Sequence, residues 1–111
     1  MDISTFKLYT NDRIYLQNYL SRVLHFTYEN TSYDMTILAK EEFYFRNKST
    51  QMNMIVLKSI EDFVIVEIIG GAGGSGLLKI NFGSQKSFIN KVIKLLYALS
   101  DERGIVMKEV L

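Results

Sequence analysis

Between Tyr33 and Ile69 the chain reads mostly in period two, and that pattern limits the fold more than anything else in it. From Tyr33 to Phe45 the odd positions are Tyr, Met, Ile, Ala, Glu, Phe and Phe, while the even ones include Asp34, Thr36, Lys40, Glu42 and Arg46 just beyond. Side chains that alternate in this way line the two faces of a strand. Glu41 interrupts the apolar parity, so either a bulge or a place beyond the covered part of the sheet is expected there. Asn47 to Thr50 is a polar turn, Gln51 to Lys58 a second strand, Ser59 to Asp62 another turn, and Phe63 to Ile69 a strand dense in Val and Ile. With no proline anywhere to break a ladder, this is the grammar of consecutive antiparallel hairpins.

Helical spacing flanks the strands on both sides. Thr10, Asn11 and Asp12 offer capping oxygens ahead of Leu16, Tyr19, Leu20, Val23 and Leu24, which predicts a first helix over Asp12 to Leu24. Phe88, Val92, Leu95, Leu96 and Leu99, widened by Ile89 and Ile93, predict a second over about Gln85 to Leu99, with Gly104 as its terminator. Phe6 and Leu8 alternate with Lys7 and Tyr9 in a short N-terminal strand, Leu77 to Phe82 suggests another, and Ile105 to Leu111 suits an extended tail or final strand. The expected fold is α+β: a helix, an antiparallel sheet of about four to five strands, and a C-terminal helix packed on one face. At 111 residues this is a single α+β domain over residues 1–111.

Composition narrows the function classes. Nearly half of the residues are hydrophobic and 13 basic residues face 12 acidic ones, which excludes a disordered chain. The absence of cysteine excludes disulfide scaffolds, zinc ribbons, iron–sulfur clusters and thiol nucleophiles. The opening Met1-Asp2-Ile3-Ser4-Thr5-Phe6-Lys7 has no secretory signal pattern and no apolar run approaches a membrane span, so a cytoplasmic protein with no membrane partner is expected.

The densest anomaly is Gly70-Gly71-Ala72-Gly73-Gly74-Ser75-Gly76, since glycine at this frequency costs backbone entropy that a plain turn does not require. Successive amides there could form an anion-binding nest, with Lys79 completing the charge balance. Gly70, Gly71, Gly73, Gly74, Ser75, Gly76 and Lys79 are the candidate ligand-binding residues on that reading. The bland alternative is a twisted connection or a bulge between antiparallel strands. The segment is not a P-loop, because Gly76 leads into Leu77, Leu78 and a strand. Its GxGxxG spacing at Gly71, Gly73 and Gly76 lacks a βαβ setting. Ser75 is not a nucleophile elbow, since Leu77 stands where that motif has glycine.

Other chemistry is sparse. His25, the single imidazole, sits where it complements the dipole at the end of the first helix, although Asp34 or Glu29 could pair with it. Glu41 and Glu42 are adjacent on a strand and so point to opposite faces. One histidine among scattered carboxylates has no metal-ligand spacing. Seven tyrosines, among them Tyr9, Tyr28 and Tyr97, could stack on bases, but a net charge of +1 gives no basic footprint, even with Lys79, Lys86, Lys91 and Lys94 clustered. No catalytic residue, metal or cofactor is assigned, and an enzyme is the least supported class.

The stretches "FYFRNKSTQMNMIVL" and "IIGGAGGSGLLKINFG", followed by an Ile/Leu-rich helix, resemble a family of small bacterial proteins catalogued as a domain of unknown function. Arg46, Gly70, Gly71, Gly73, Gly74, Lys79, Asn81 and Gly83 carry the resemblance, which covers about half of the chain, Glu42 to Leu96. Ser84, Gln85 and Lys86 stand where that family's pattern has an acidic residue. The resemblance implies an intact α+β domain and no activity.

Two amphipathic helices cover only one face of such a sheet. Met52, Met54, Tyr44, Leu38, Leu57 and Ile55 are then too many apolar residues to hide, which points to a homo-oligomer or a protein partner docked on the sheet. A non-enzymatic interaction domain is the expected function, with small-anion binding by the glycine segment as the alternative.

Overall fold

The computed structural model describes residues 1–44, 48–72 and 84–110. In chain order the elements are β1 (Asp2–Leu8), α1 (Arg13–Leu24), β2 (Tyr28–Thr31), β3 (Met35–Tyr44), β4 (Ser49–Ile60), β5 (Phe63–Ala72), α2 (Ser84–Arg103) and β6 (Met107–Glu109). The fold is α+β, and the sheet has six strands in the order β2-β3-β4-β5-β1-β6, every neighbour antiparallel. The expectation of four to five strands falls short because β2 is Tyr-Glu-Asn-Thr, four exposed residues with no apolar alternation to reveal it. The strand expected over Leu77 to Phe82 lies outside the described residues.

The hairpins form where the turns require them. β3 and β4 pair without a register shift from Met35↔Lys58 to Tyr44↔Ser49, so Glu41 causes no bulge and sits in an unbroken ladder opposite Met52. The irregularity falls on β5, where Met54 pairs with Ile69 but Met52 pairs with Ala72, leaving Gly70 and Gly71 against Asn53 alone. Gly71 has φ 76°, a left-handed value that glycine adopts without a Cβ penalty.

Asp12 caps α1 by accepting the Tyr15 N–H at 3.1 Å, so the helix proper begins at Arg13, one residue past its expected start. At the other end His25 takes φ 55° and donates its N–H to Ser21 O at 3.0 Å. α2 runs four residues beyond Leu99, to Arg103, and Gly104 at φ 67° ends it.

Both helices lie on the same side of the sheet, α1 over β4 and α2 over β5 and β1. Leu16, Leu20 and Leu24 from α1 and Val92, Leu96 and Leu99 from α2 share one buried core with Leu38, Ile55, Leu57, Val64, Val66 and Ile68 of the sheet. Leu38, Leu57 and Ile55, expected among the apolar residues that two helices leave over, are thus fully buried in the core. Val23 is the converse, since helical spacing assigns it to the apolar face yet it is 38% exposed.

Candidate functional site: the uncovered sheet face

Strand parity decides which side chains face the helices. Thr36 and Glu29 point to the helix side, because Thr36 meets Arg13 and Gln17 while Glu29 accepts from Ser21 Oγ at 2.8 Å. Their sequence neighbours therefore point the other way. On β4, Gln51, Asn53, Ile55 and Leu57 are buried while Met52, Met54, Val56 and Lys58 are half-buried, and β5 repeats the alternation with Ile65, Glu67 and Ile69 half-buried. No described element covers this second face.

Cross-strand pairing arranges its side chains in rows. Ile3, Ile69, Met54, Ala39 and Tyr28 are successive partners on β1, β5, β4, β3 and β2, an apolar row unbroken across five strands. Next to it Thr5, Glu67, Val56, Ile37 and Asn30 form a mixed row, and beyond that Lys108, Lys7, Ile65, Lys58 and Met35 form a third. Ile3 and Tyr28, at the ends of the apolar row, are 51% and 52% exposed. Ala39 is its one small residue, and a hollow of about 510 Å³ opens there, lined by Tyr28, Ile37, Ala39, Met52 and Met54 among others.

Most of the cations on this face are paired or lie over rings, while Glu41, opposite Met52 and lining the hollow, is an exposed carboxylate. Lys58 Nζ lies 2.9 Å from Glu67 Oε1. Lys7 Nζ sits 4.8 Å above the Phe63 ring, and Lys108 Nζ 5.7 Å from the Tyr9 ring, whose centroid is 5.9 Å from that of Phe63. The result is a broad, mostly apolar surface with a hollow near Ala39 and cations at one end.

On the helix side the apolar rows give way to polar ones at the end of the sheet nearest the glycine segment. Where Leu38 pairs with Ile55, the next core-facing partners are Lys40 with Asn53 and Glu42 with Gln51. Asn53, fully buried, donates to Glu42 Oε1 at 2.8 Å, while its Oδ1 accepts from Gln51 Nε2 at 2.8 Å and from the Gly71 N–H at 3.2 Å. Lys40 donates to Leu24 O at 2.8 Å and lies 3.6 Å from Glu42. This network anchors the β5 bulge and the chain leaving α1.

Of the sequence-derived anion-binding residues, Gly70 and Gly71 are described, both buried at the end of β5, and the Gly71 amide is directed at Asn53. Gly73, Gly74, Ser75, Gly76 and Lys79 lie outside the described residues. His25 is exposed and Glu29 is engaged with Ser21, so they form no bonded pair. Among the described residues no cluster of His, Asp and Glu could hold a metal, and no helix is long and apolar enough to cross a membrane. Sequence reasoning found Met52 and Met54 on the open face but missed Ile3, Ile69 and Tyr28, which only strand order brings into line with them. Compared with known protein families, curated proteins and solved structures, the chain matches none.

Proposed function

We propose that this protein is a binding domain of the cytoplasm whose working surface is the open face of the sheet, and that it covers this face by associating with a second copy of itself. The observation that carries the reading is the apolar row Ile3, Ile69, Met54, Ala39 and Tyr28, which runs across five strands opposite the helix-covered side. Isolated exposed apolar residues are ordinary, whereas a contiguous surface of this kind marks an interaction site.

The size of the face agrees with a dimer. Five strands about 4.8 Å apart and about eight residues long present roughly 600 Å² per copy, so two copies bury roughly 1,200 Å², at the lower bound for stable interfaces. Two sheets stack face to face at about 10 Å, and a chain of net charge +1 brings little repulsion to the encounter.

Met54, at the centre of the row, gives the test. Met54→Lys places an unpaired cation in the middle of the contact, so light scattering across a concentration series should read a dimer for the parent chain and a monomer for the variant, with unchanged far-ultraviolet circular dichroism. A parent chain that is monomeric up to about 100 µM, a concentration well above typical specific dissociation constants, overturns the reading.

A further inference from the structure

Resting on that reading, we propose how the two copies register: a two-fold axis parallel to the strands passes between β4 and β5, and Ile3 of each copy enters the hollow beside Ala39 of the other. In a face-to-face dimer the axis lies in the plane between the sheets, and an axis along the strands exchanges β4 with β5 and β3 with β1. Applied to the apolar row, this sets Ile69 on Met54 and Ile3 on Ala39. Ile3 is 51% exposed, whereas Ala39 is buried and lines the hollow together with Tyr28, Ile37, Met52 and Met54 and, at its polar side, Thr27, Lys40 and Glu41.

An axis across the strands does the opposite. It lays hollow on hollow and Ile3 on Ile3, leaving the concavity empty and Ile3 without a socket. The charged rows favour the same choice. Under the strand-parallel axis Lys58 lies over Ile65, Glu67 over Val56 and Lys7 over Met35, so no two like charges are superposed. The two Lys58–Glu67 pairs then flank the axis as alternating charges, each already closed within its own copy at 2.9 Å.

The chain has no cysteine, so single Cys substitutions report positions without background. In this register Ile3 of one copy and Ala39 of the other are about 10 Å apart, while Ile3 to Ile3 and Ala39 to Ala39 are each roughly 17 Å, three strand spacings combined with the sheet separation. Ile3→Cys and Ala39→Cys proteins are mixed and treated with a short bismaleimide, with circular dichroism verifying that each is folded. The expected result is a cross-linked heterodimer from the mixture and at least tenfold less cross-linking from either variant alone. A dimer by light scattering that fails to cross-link in the mixture, or that cross-links equally in either single variant, overturns the register while the dimer stands. A parent chain that scatters as a monomer overturns the reading beneath it. A second pair keeps the test independent of Ala39: Met54→Cys alone should cross-link to itself, since β4 lies next to the axis, and its failure in a proven dimer also overturns the register.

Discussion

Arg13 Nε donates to Ser59 Oγ at 2.9 Å, joining the first turn of α1 to the far end of β4 across 46 residues of chain. The same guanidinium donates to Thr36 Oγ1 and to the carbonyls of Ser32 and Tyr33 at 3.1 and 2.9 Å, so one buried cation ties α1, the β2–β3 turn, β3 and β4 together. All four acceptors are neutral, and a positive side chain in the first turn of a helix opposes the macrodipole, so the geometry of the fork, not ion pairing, explains its place. Arg13→Ala should destabilise the fold by about 3 kcal/mol, as expected for losing several hydrogen bonds from a charged group at once. Arg13→Lys should recover less than half of that loss, because an ammonium cannot reproduce the planar fork. Urea unfolding of the three proteins reads both values.

Asn53 is the second polar anchor, and it joins side chains of β3 and β4 to the backbone of β5. Replacing it with Leu, of similar size, leaves the Gly71 amide and Glu42 without this acceptor and donor in a buried setting, which should cost about 2–3 kcal/mol. Gly71→Ala should cost about 1–2 kcal/mol by a separate route, the strain of a Cβ at φ 76°. Because both changes act on the same bulge, the double variant should lose less than the sum, and a double-mutant cycle measures the shortfall.

His25 occupies a left-handed position where helices usually end in glycine, with φ 55°. It is exposed and makes its cap through its backbone N–H. His25→Gly should therefore stabilise the protein by about 0.5–1 kcal/mol, the relief of the left-handed cost less the entropy of an added glycine, read as a rise in melting temperature. His25→Ala, which keeps the strain, should not show this gain.

The Lys58–Glu67 pair is partly exposed in the single chain and would be shielded in the proposed face-to-face dimer. Breaking it with Glu67→Gln leaves an unpaired Lys58 in the contact and should weaken the dimer by at least tenfold in its dissociation constant. The double change Lys58→Met with Glu67→Leu removes both charges and should restore the affinity or raise it. Sedimentation equilibrium on the parent and the two variants makes the comparison.

Much of this fold was legible along the chain. Period two from Tyr33 to Ile69 indicated three hairpin-linked strands, and 3.6 spacing from Leu16 to Leu24 and from Phe88 to Leu99 indicated the helices, since each pattern reflects an element with one buried side. β2 was not legible, because Tyr28 to Thr31 owes its strand conformation to the β3 edge beside it and carries no periodic signal of its own. Arg13 was hidden for a related reason: its partners lie at Ser32, Tyr33, Thr36 and Ser59, and nothing in the local sequence brings them near. The glycine segment drew attention to a real backbone requirement, the left-handed Gly71, while Asn53 within Met52-Asn53-Met54 was the overlooked mark of where that requirement is anchored.

The open face divides along the same line. Local patterning determined that β3, β4 and β5 would be amphipathic and that two helices would cover one side of them, because those properties depend on residues a few positions apart. Which strands came to flank that hairpin-linked trio was decided only in three dimensions. β1 is made first yet lies between β5 and β6, and this placement alone carries Ile3 into line with Ile69, Met54, Ala39 and Tyr28. Sheet order is a choice among distant partners competing for the same ladder edge, settled by how the helices seat over the whole core, and so the row that forms the candidate interface belongs to the tertiary structure.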